Sequence, residues 1–510
     1  MSKALAKVTP KRSTNLATNL ATNLATNLAT KQATKQATKQ ATKQATYPTK
    51  KQPPKKQLPN TDGKAWASQG IRMVLAQFTD MNGTAKGKLV PISQWHSLVQ
   101  LGAGFAGPSI VGTGLPRSGP RSEYYGRPDL STARVLPWQA DTLHVVCNGY
   151  VDDQPFDGCP RQILMQQTAR LAEHGLQLQV GIEPEFFLFA KDSLGQVLSM
   201  DGLVADSADC LDKPSYDLKA LMKTPIRDCL YAMEQQLRAF GFELEQIDHE
   251  DAPAQYEVNY RFDHALAAAD QFMRFKLAAH SIAQQHGFDF CLMPKPFADR
   301  PGSGLHFHLS LTDLKNSSIN RMMPATKDKG LLSPLGQQAL AGLLAHAPAL
   351  ACIHASTVNS YKRLIGSGSA SGTTWAPTHI AHGPNNRSAV ARTLKGRIEW
   401  RIPDGCTNVY IALAAVIAAM LDGVESKLVP PAQITDDISE WSAQQLRDAN
   451  IQQLPANLGT ATIAFAADTV ITKALGVDWS GRWVAHKNQE WAAFNQTVHA
   501  WEFNRYRSLA

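Results

Sequence analysis

Residues 71–79 read Ile-Arg-Met-Val-Leu-Ala-Gln-Phe-Thr, a short apolar run that predicts a buried strand. Asp80, Asn82 and Gly83 supply turn chemistry and residues 85–90 a returning strand, so a hairpin is predicted. A Gly-rich stretch over 102–119 and short strands to about Tyr150 complete a small β-rich domain, residues 65–160. Past Arg161 the period changes. Residues 162–174 predict an amphipathic helix and 177–189 a strand, with long helices over 265–286 and 408–427. Strands fall near 242–248, 254–260, 303–311 and 395–402. The reading is an α+β body, residues 161–510, on a curved and largely antiparallel sheet. The longest apolar run, 409–421, is shorter than the roughly 18 to 20 residues that span a bilayer.

Residues 1–64 break this pattern. Asn-Leu-Ala-Thr repeats four times from Asn15 and Lys-Gln-Ala-Thr four times from Lys31, with a Lys/Pro/Gln stretch behind them. Such a segment has too little apolar content to offset its ordering entropy and is expected to be a disordered, low-complexity basic tail. The tail also explains the charge. Of the 510 residues, whose formal net charge is +8, these 64 contribute thirteen Lys or Arg against Asp62 alone. The remaining 38 basic and 42 acidic residues leave the body mildly acidic, which removes the main electrostatic argument for nucleic-acid binding. Seven cysteines without a C-x-x-C pair suggest reduced thiols and a cytoplasmic setting, and no signal peptide is expected.

Side chains two apart on a strand share a face. In GIEPEFFLF (181–189) this places Glu183 beside Glu185 within apolar sequence. Glu250 precedes a Pro-containing loop, and Glu257 re-enters a strand after it. In PGSGLHFHLS (301–310), His306, His308 and Ser310 share a face, and in RIEWR (397–401) so do Arg397, Glu399 and Arg401. Each segment alone also fits solvent-facing acids, a hydrogen-bonded histidine pair or a surface ion-pair ladder. Together, five glutamates and a histidine form a ligand set suited to Mg²⁺ or Mn²⁺. The neighbouring arginines suit phosphate and carboxylate, and the combination suggests phosphoryl transfer. No Walker A motif is present.

The segments GIEPEFFLF, HEDAPAQYEVN, MPKPFADRPGSGLHFHLS, NSYKRL, NNRSAVAR and RIEWRIPD resemble, in that order and from about Trp66 to Tyr506, the glutamine synthetase family. GAGFAG at 102–107, IDHEDA and SGTTWAP at 371–377 are most similar to the type III glutamate–ammonia ligase branch, which includes γ-glutamylmethylamide synthetases. The resemblance implies an N-terminal β-grasp domain, a catalytic domain, and a dodecamer of two hexameric rings with active sites between subunits. By motif position it implies one metal at Glu185, Glu250 and Glu257 and a second at Glu183, His306 and Glu399. It puts ATP at His308, Ser310, Arg387, Arg392 and Arg397. Glutamate falls to Gly302, His306, Arg363 and Arg401, with Arg387, Glu399 and Arg401 closest to the chemistry. The implied reaction is phosphorylation of the glutamate side-chain carboxylate by ATP, then displacement of phosphate by an amine.

Three positions depart from the family pattern. Ala106 stands where ammonia-using members carry an ammonium-binding aspartate, Trp375 where their flap glutamate aligns, and Pro301 where an asparagine helps hold glutamate. The loss of two carboxylates leaves an apolar amine pocket, so a small alkylamine such as methylamine is the expected acceptor. Ammonia as acceptor is the alternative, and a non-catalytic scaffold the alternative of another class. Asp80 is a candidate base for the amine proton, its turn position being equally explained by hairpin chemistry.

Overall fold

Asp62 accepts the Lys64 N–H and caps a helix, Gly63–Ser68, so that regular structure begins before the Trp66 at which the apolar pattern sets in. The computed structural model describes residues 62–190, 215–298, 300–325, 330–364 and 375–509. The two repeat arrays, Cys210 and residues 371–374 of the SGTTWAP segment lie outside them.

Among the described residues fifteen strands form two sheets. The first contains β1 (Met73–Thr79), β2 (Ala85–Pro91), β3 (Ala103–Ala106), β4 (Glu123–Leu136), β5 (Gln139–Val151) and β6 (Gln154–Pro155). Its order is β2-β1-β5-β4-β3, with β6 on β5, and β1 runs parallel to β5. The β1–β2 hairpin closes through Asp80, whose Oδ1 accepts the N–H groups of Asn82 and Thr84, each at 3.0 Å. Gly83 has φ +79°, and a Cβ there would stand 2.8 Å from the Asn408 Cα. Only glycine meets both demands. Asn408 in turn donates to the carbonyls of Asp80 and Met81 while capping the helix Val409–Glu425.

The second sheet contains β7 (Leu176–Ala190), β8 (Leu244–His249), β9 (Gln255–Tyr260), β10 (Asp263–His264), β11 (Phe288–Cys291), β12 (Leu305–Asp313), β13 (His382–Pro384), β14 (Ala391–Leu394) and β15 (Arg397–Trp400). Its order is β13-β14-β15-β12-β7-β9-β8, with β10 and β11 also on β7. All pairs are antiparallel except β13–β14. The fold is therefore α+β. One face of this sheet packs Ile182, Phe186, Phe307, Ile398 and Trp400 into a core shared with the helices Pro160–Glu173, Ala265–Gln285, Pro334–Ala345 and Val409–Glu425. The apolar run 409–421 is wholly inside that core, which its length, too great for an ordinary strand, already suggests. It lies so close to Pro334–Ala345 that a Cβ on Gly342 would come 2.0 Å from the Ala419 carbonyl oxygen. Among the described residues no helix is long and apolar enough to cross a membrane. The six described cysteines are all unpaired.

A buried polar knot ties the first sheet to the helices Pro160–Glu173, Ala265–Gln285 and Val409–Glu425. Arg161 gives Nε and Nη2 to the two Asp270 carboxylate oxygens at 2.9 and 2.8 Å, a second Nη2 contact to Asp129 at 2.8 Å, and Nη1 to Asn148 at 2.7 Å. The Tyr410 hydroxyl donates to Asp270 at 2.8 Å.

Candidate active site

Strand register assembles the site. β12 pairs with β7 so that His306 faces Glu183, β15 with β12 so that Glu399 faces His308, and β14 with β15 so that Arg392 faces Glu399. On the other side of β7, Glu185 faces Glu257, and Glu257 faces Asp248. The polar positions of six strands thus form one diagonal stripe on the face opposite the core. The stripe floors a cavity of about 240 Å³. His306 is the hub: its Nδ1 lies 3.9 Å from Glu183 and 3.8 Å from Glu399, and its Nε2 lies 3.8 Å from Glu185. His308 Nε2 lies 2.8 Å from Glu183 Oε1.

These carboxylates are held against their chemistry. Burial, with Glu185, Asp248 and Asp251 nearby, pushes Glu250 up to about 8. Burial and the charges of Glu183, Glu185 and Glu250 hold Glu257 well above the ordinary range. Glu185 is raised by burial too, although Arg363 and the Gly304 N–H, at 2.8 Å, oppose the shift. Burial and the Arg401 cation keep His306 neutral, which leaves an imidazole lone pair for a metal. Glu399 behaves oppositely. Burial alone would raise it, but Arg401, the two histidines and Arg392 hold it well below the usual carboxylate range. It bonds Arg401, and Arg392 reaches its other oxygen at 2.5 Å.

A set of buried acids facing one another is stable in ionised form only around a cation. Glu183, Glu257 and His306 offer ligand atoms within 4.8 Å of one another, and so do Glu183, His308 and Glu399. The residues fit a hard divalent ion with oxygen and imidazole donors. A pH dependence follows. Each raised carboxylate favours the folded chain while protonated; that contribution is complete below about pH 4.5, the ordinary value, and is lost as pH rises through about 8 for Glu250. A divalent ion restores what ionisation removes. The gain in Tm from saturating Mg²⁺ is therefore expected to be about twofold larger at pH 8.5 than at pH 6, measured by thermal melts with and without chelator. A gain independent of pH would sink that account.

Of the residues singled out in the sequence, Glu183, Glu185, Glu250, Glu257, Gly302, His306, Arg363, Trp375, Arg387, Arg392, Glu399 and Arg401 line the cavity. The expected set of Glu183, His306 and Glu399 is brought together, with His306 Nδ1 3.9 and 3.8 Å from the two carboxylates, and the tightest ligand groups also draw in His308 and Glu257. His308, expected at ATP, lies with Glu183 and Glu399, and His306 with Glu183 and Glu257, because 306 and 308 stand one pleat apart on β12. Ser310 continues that face beyond the cavity, opposite Gln179. Arg397 is exposed at the start of β15, also outside the lining. Ala106 is exposed at the end of β3 and does not line the cavity. Asp80 is buried in its hairpin turn and does not line the cavity either.

Pro301, Trp375 and Ala376 are the apolar side chains in the lining. Arg363 gives its guanidinium to the carbonyls of Ile402 and Arg401, at 2.9 and 3.1 Å, and packs on the Gly-rich turn. A Cβ on Gly304 would meet Arg363 Nη2 at 2.7 Å and His306 Nε2 at 2.8 Å, which accounts for glycine there. Sequence reasoning missed Asp248, Asn259, Lys295 and Tyr216, which also line the cavity. Asp248 stands two residues before Glu250 and Asn259 two after Glu257, so the same alternation would have found both.

A family model of the glutamine synthetase catalytic domain matches residues 157–506. A glutamate–methylamine ligase from Methyloversatilis universalis is 42% identical over 439 residues, 86% of this chain and 96% of that protein. A glutamine synthetase from Rhizobium leguminosarum bv. phaseoli is 35% identical over 438 residues, 85% of this chain and 96% of that one. Among solved structures, a GmaS–ADP complex superposes with a TM-score of 0.79 at 34% identity, covering 87% of this chain and 99% of that chain.

Proposed function

The chain belongs to the glutamine synthetase family, and from that premise we propose that it is an ATP-dependent ligase joining L-glutamate, through its side-chain carboxylate, to a small alkylamine, methylamine foremost. The observation that carries the reading is the cavity itself. Acids fit to hold divalent ions and four arginines share one lining with the apolar side chains of Trp375, Ala376 and Pro301.

In this reading a γ-carboxylate oxygen attacks the terminal phosphorus of ATP and the bond to ADP breaks. The amine nitrogen then attacks the acyl carbon, the carbon–oxygen bond to phosphate breaks, and the nitrogen loses a proton. A free carboxylate is a poor electrophile, and the first step converts its oxygen into a leaving group. Glu183, Glu185, Glu250, Glu257, His306 and Glu399, with His308 beside Glu183, would hold two or more Mg²⁺ or Mn²⁺ ions, which would supply positive charge to offset that of the phosphates. Arg387 and Arg392 balance charge on the transferring phosphoryl group. Arg363 and Arg401 face the glutamate carboxylates, and the Gly302 turn admits the substrate backbone.

These apolar side chains favour an alkylammonium over ammonium, since burying one methyl gains about 0.8 kcal/mol, roughly fourfold. The named activity of the Methyloversatilis relative supports the same preference. The reading extends to a dodecamer of two hexameric rings in which Ala106 of one subunit borders the cavity of the next. That Ala106 is exposed and outside its own cavity is what such an arrangement requires.

The test is ATP-dependent phosphate release with Mg²⁺ and L-glutamate, offering ammonia, methylamine, ethylamine and putrescine separately. The kcat/KM for methylamine or ethylamine is expected to exceed that for ammonia by about fourfold or more. Ammonia ahead would make the chain a glutamine synthetase. No release with any of the four amines would return it to the scaffold class.

A further inference from the structure

Arg387 is an exposed arginine on the cavity wall. Among the described residues it has no ion pair and no side-chain hydrogen bond; what it has is the Trp375 ring, with the guanidinium carbon 5.2 Å from the ring centroid. Trp375 is fixed at its other end, because Arg401 donates Nη2 to the Trp375 carbonyl at 3.1 Å. Arg401 is locked to Glu399, which Arg392 holds from the opposite side. Contacts therefore run unbroken from a carboxylate of the metal group, through Arg401 and the tryptophan, to the tip of Arg387.

We propose that Trp375 is a positioning residue for Arg387: its indole face sets the guanidinium over the cavity, while Arg401 anchors its backbone. This deepens the ligase reading and rests on Arg387 meeting the transferring phosphoryl group. A long exposed arginine otherwise samples many rotamers, and stacking on an aromatic face restricts it without using the donors that phosphate needs. A carboxylate at 375 would compete for those donors. Tryptophan leaves all five N–H groups free for the phosphoryl oxygens. The residue that makes the amine pocket apolar thus also presets the phosphate arginine.

A double-mutant cycle tests this with Trp375→Leu, Arg387→Lys, the double variant, and Trp375→Phe as the conservative control. Half-exposed Trp375 contributes to no buried core, so the variants are expected to fold, and circular dichroism checks it. Trp375→Leu is expected to lower kcat at saturating methylamine by about tenfold, and Trp375→Phe by no more than about threefold. In the Arg387→Lys background, Trp375→Leu is expected to change kcat by less than about twofold. The same four proteins titrated with ATP and Mg²⁺ by calorimetry are expected to show the same non-additivity in Kd. Equal effects of Trp375→Leu in both backgrounds, or an effect confined to the KM for methylamine, would overturn the proposal. Coupling in ATP affinity without turnover in the parent enzyme would sustain the Trp375–Arg387 pair and discard the ligase reading instead.

Discussion

Glu399→Ala is expected to reduce ATP- and glutamate-dependent phosphate release by about a thousandfold or more. Glu399 is 1% exposed and faces Arg392, Arg401, His306 and His308 at once. Removing it takes a ligand atom from the group completed by Glu183 and His308 and leaves two guanidiniums in one buried pocket without their counter-charge. Uncompensated buried charge of that kind costs about 3–5 kcal/mol. The freed arginines would also turn toward Glu183 or solvent, and Arg401 would release the Trp375 carbonyl. Glu399→Gln separates charge from shape, keeping an oxygen for one arginine while losing the ionised ligand. It is expected to fold with a Tm close to the parent and to lose about a hundredfold in rate, together with measurable Mg²⁺ affinity by calorimetry. Retention of more than a tenth of the rate by Glu399→Gln would falsify the assignment of this carboxylate to the metal group.

The second large effect concerns stability. Arg161→Ala is expected to lower the free energy of unfolding by about 3–5 kcal/mol, read from urea midpoints at constant slope. The Arg161 side chain is almost fully buried and bridges Asp270, itself almost fully buried, to Asp129 and Asn148 of the first sheet. Truncation strands the Asp270 carboxylate with one remaining donor, the Tyr410 hydroxyl. Asp129→Asn should cost far less, because Asp129 reaches water and Arg161 keeps its two bonds to Asp270. A loss below about 1 kcal/mol for Arg161→Ala would show that the packing of the first sheet on the helices does not depend on this knot.

Much of the site was legible because strand alternation is local. Glu183 with Glu185, and His306 with His308, can be paired from five residues of sequence. What alternation does not specify is which rows meet. That depends on register between segments far apart in the chain, such as β7 with β12 and β12 with β15. Arg397 illustrates the limit. Period two places it on a face with Glu399 and Arg401, yet β15 is only four residues long and its first position opens to solvent. The stacking of Arg387 on Trp375, twelve positions apart with a turn between, left no periodic trace either. Nor did the Arg161 knot, whose partners come from four elements. The helix Val409–Glu425 posed the opposite problem. Its apolar run has no polar face to give a period, and only length separated helix from strand.

The diagonal stripe of charge across the second sheet has a consequence for how the chain arrives at its fold. A slip of β12 by one residue against β7 would turn His306 and His308 into the layer held by Phe307 and Leu309, and bring those apolar side chains out among the glutamates. A slip by two would keep the faces but set each histidine against the wrong carboxylate. The first error buries two imidazoles in hydrocarbon, and the second takes His306 from its place between Glu183 and Glu399. Both are heavily penalised before any substrate is present, so the charges that make the site also proofread the pairing of the sheet.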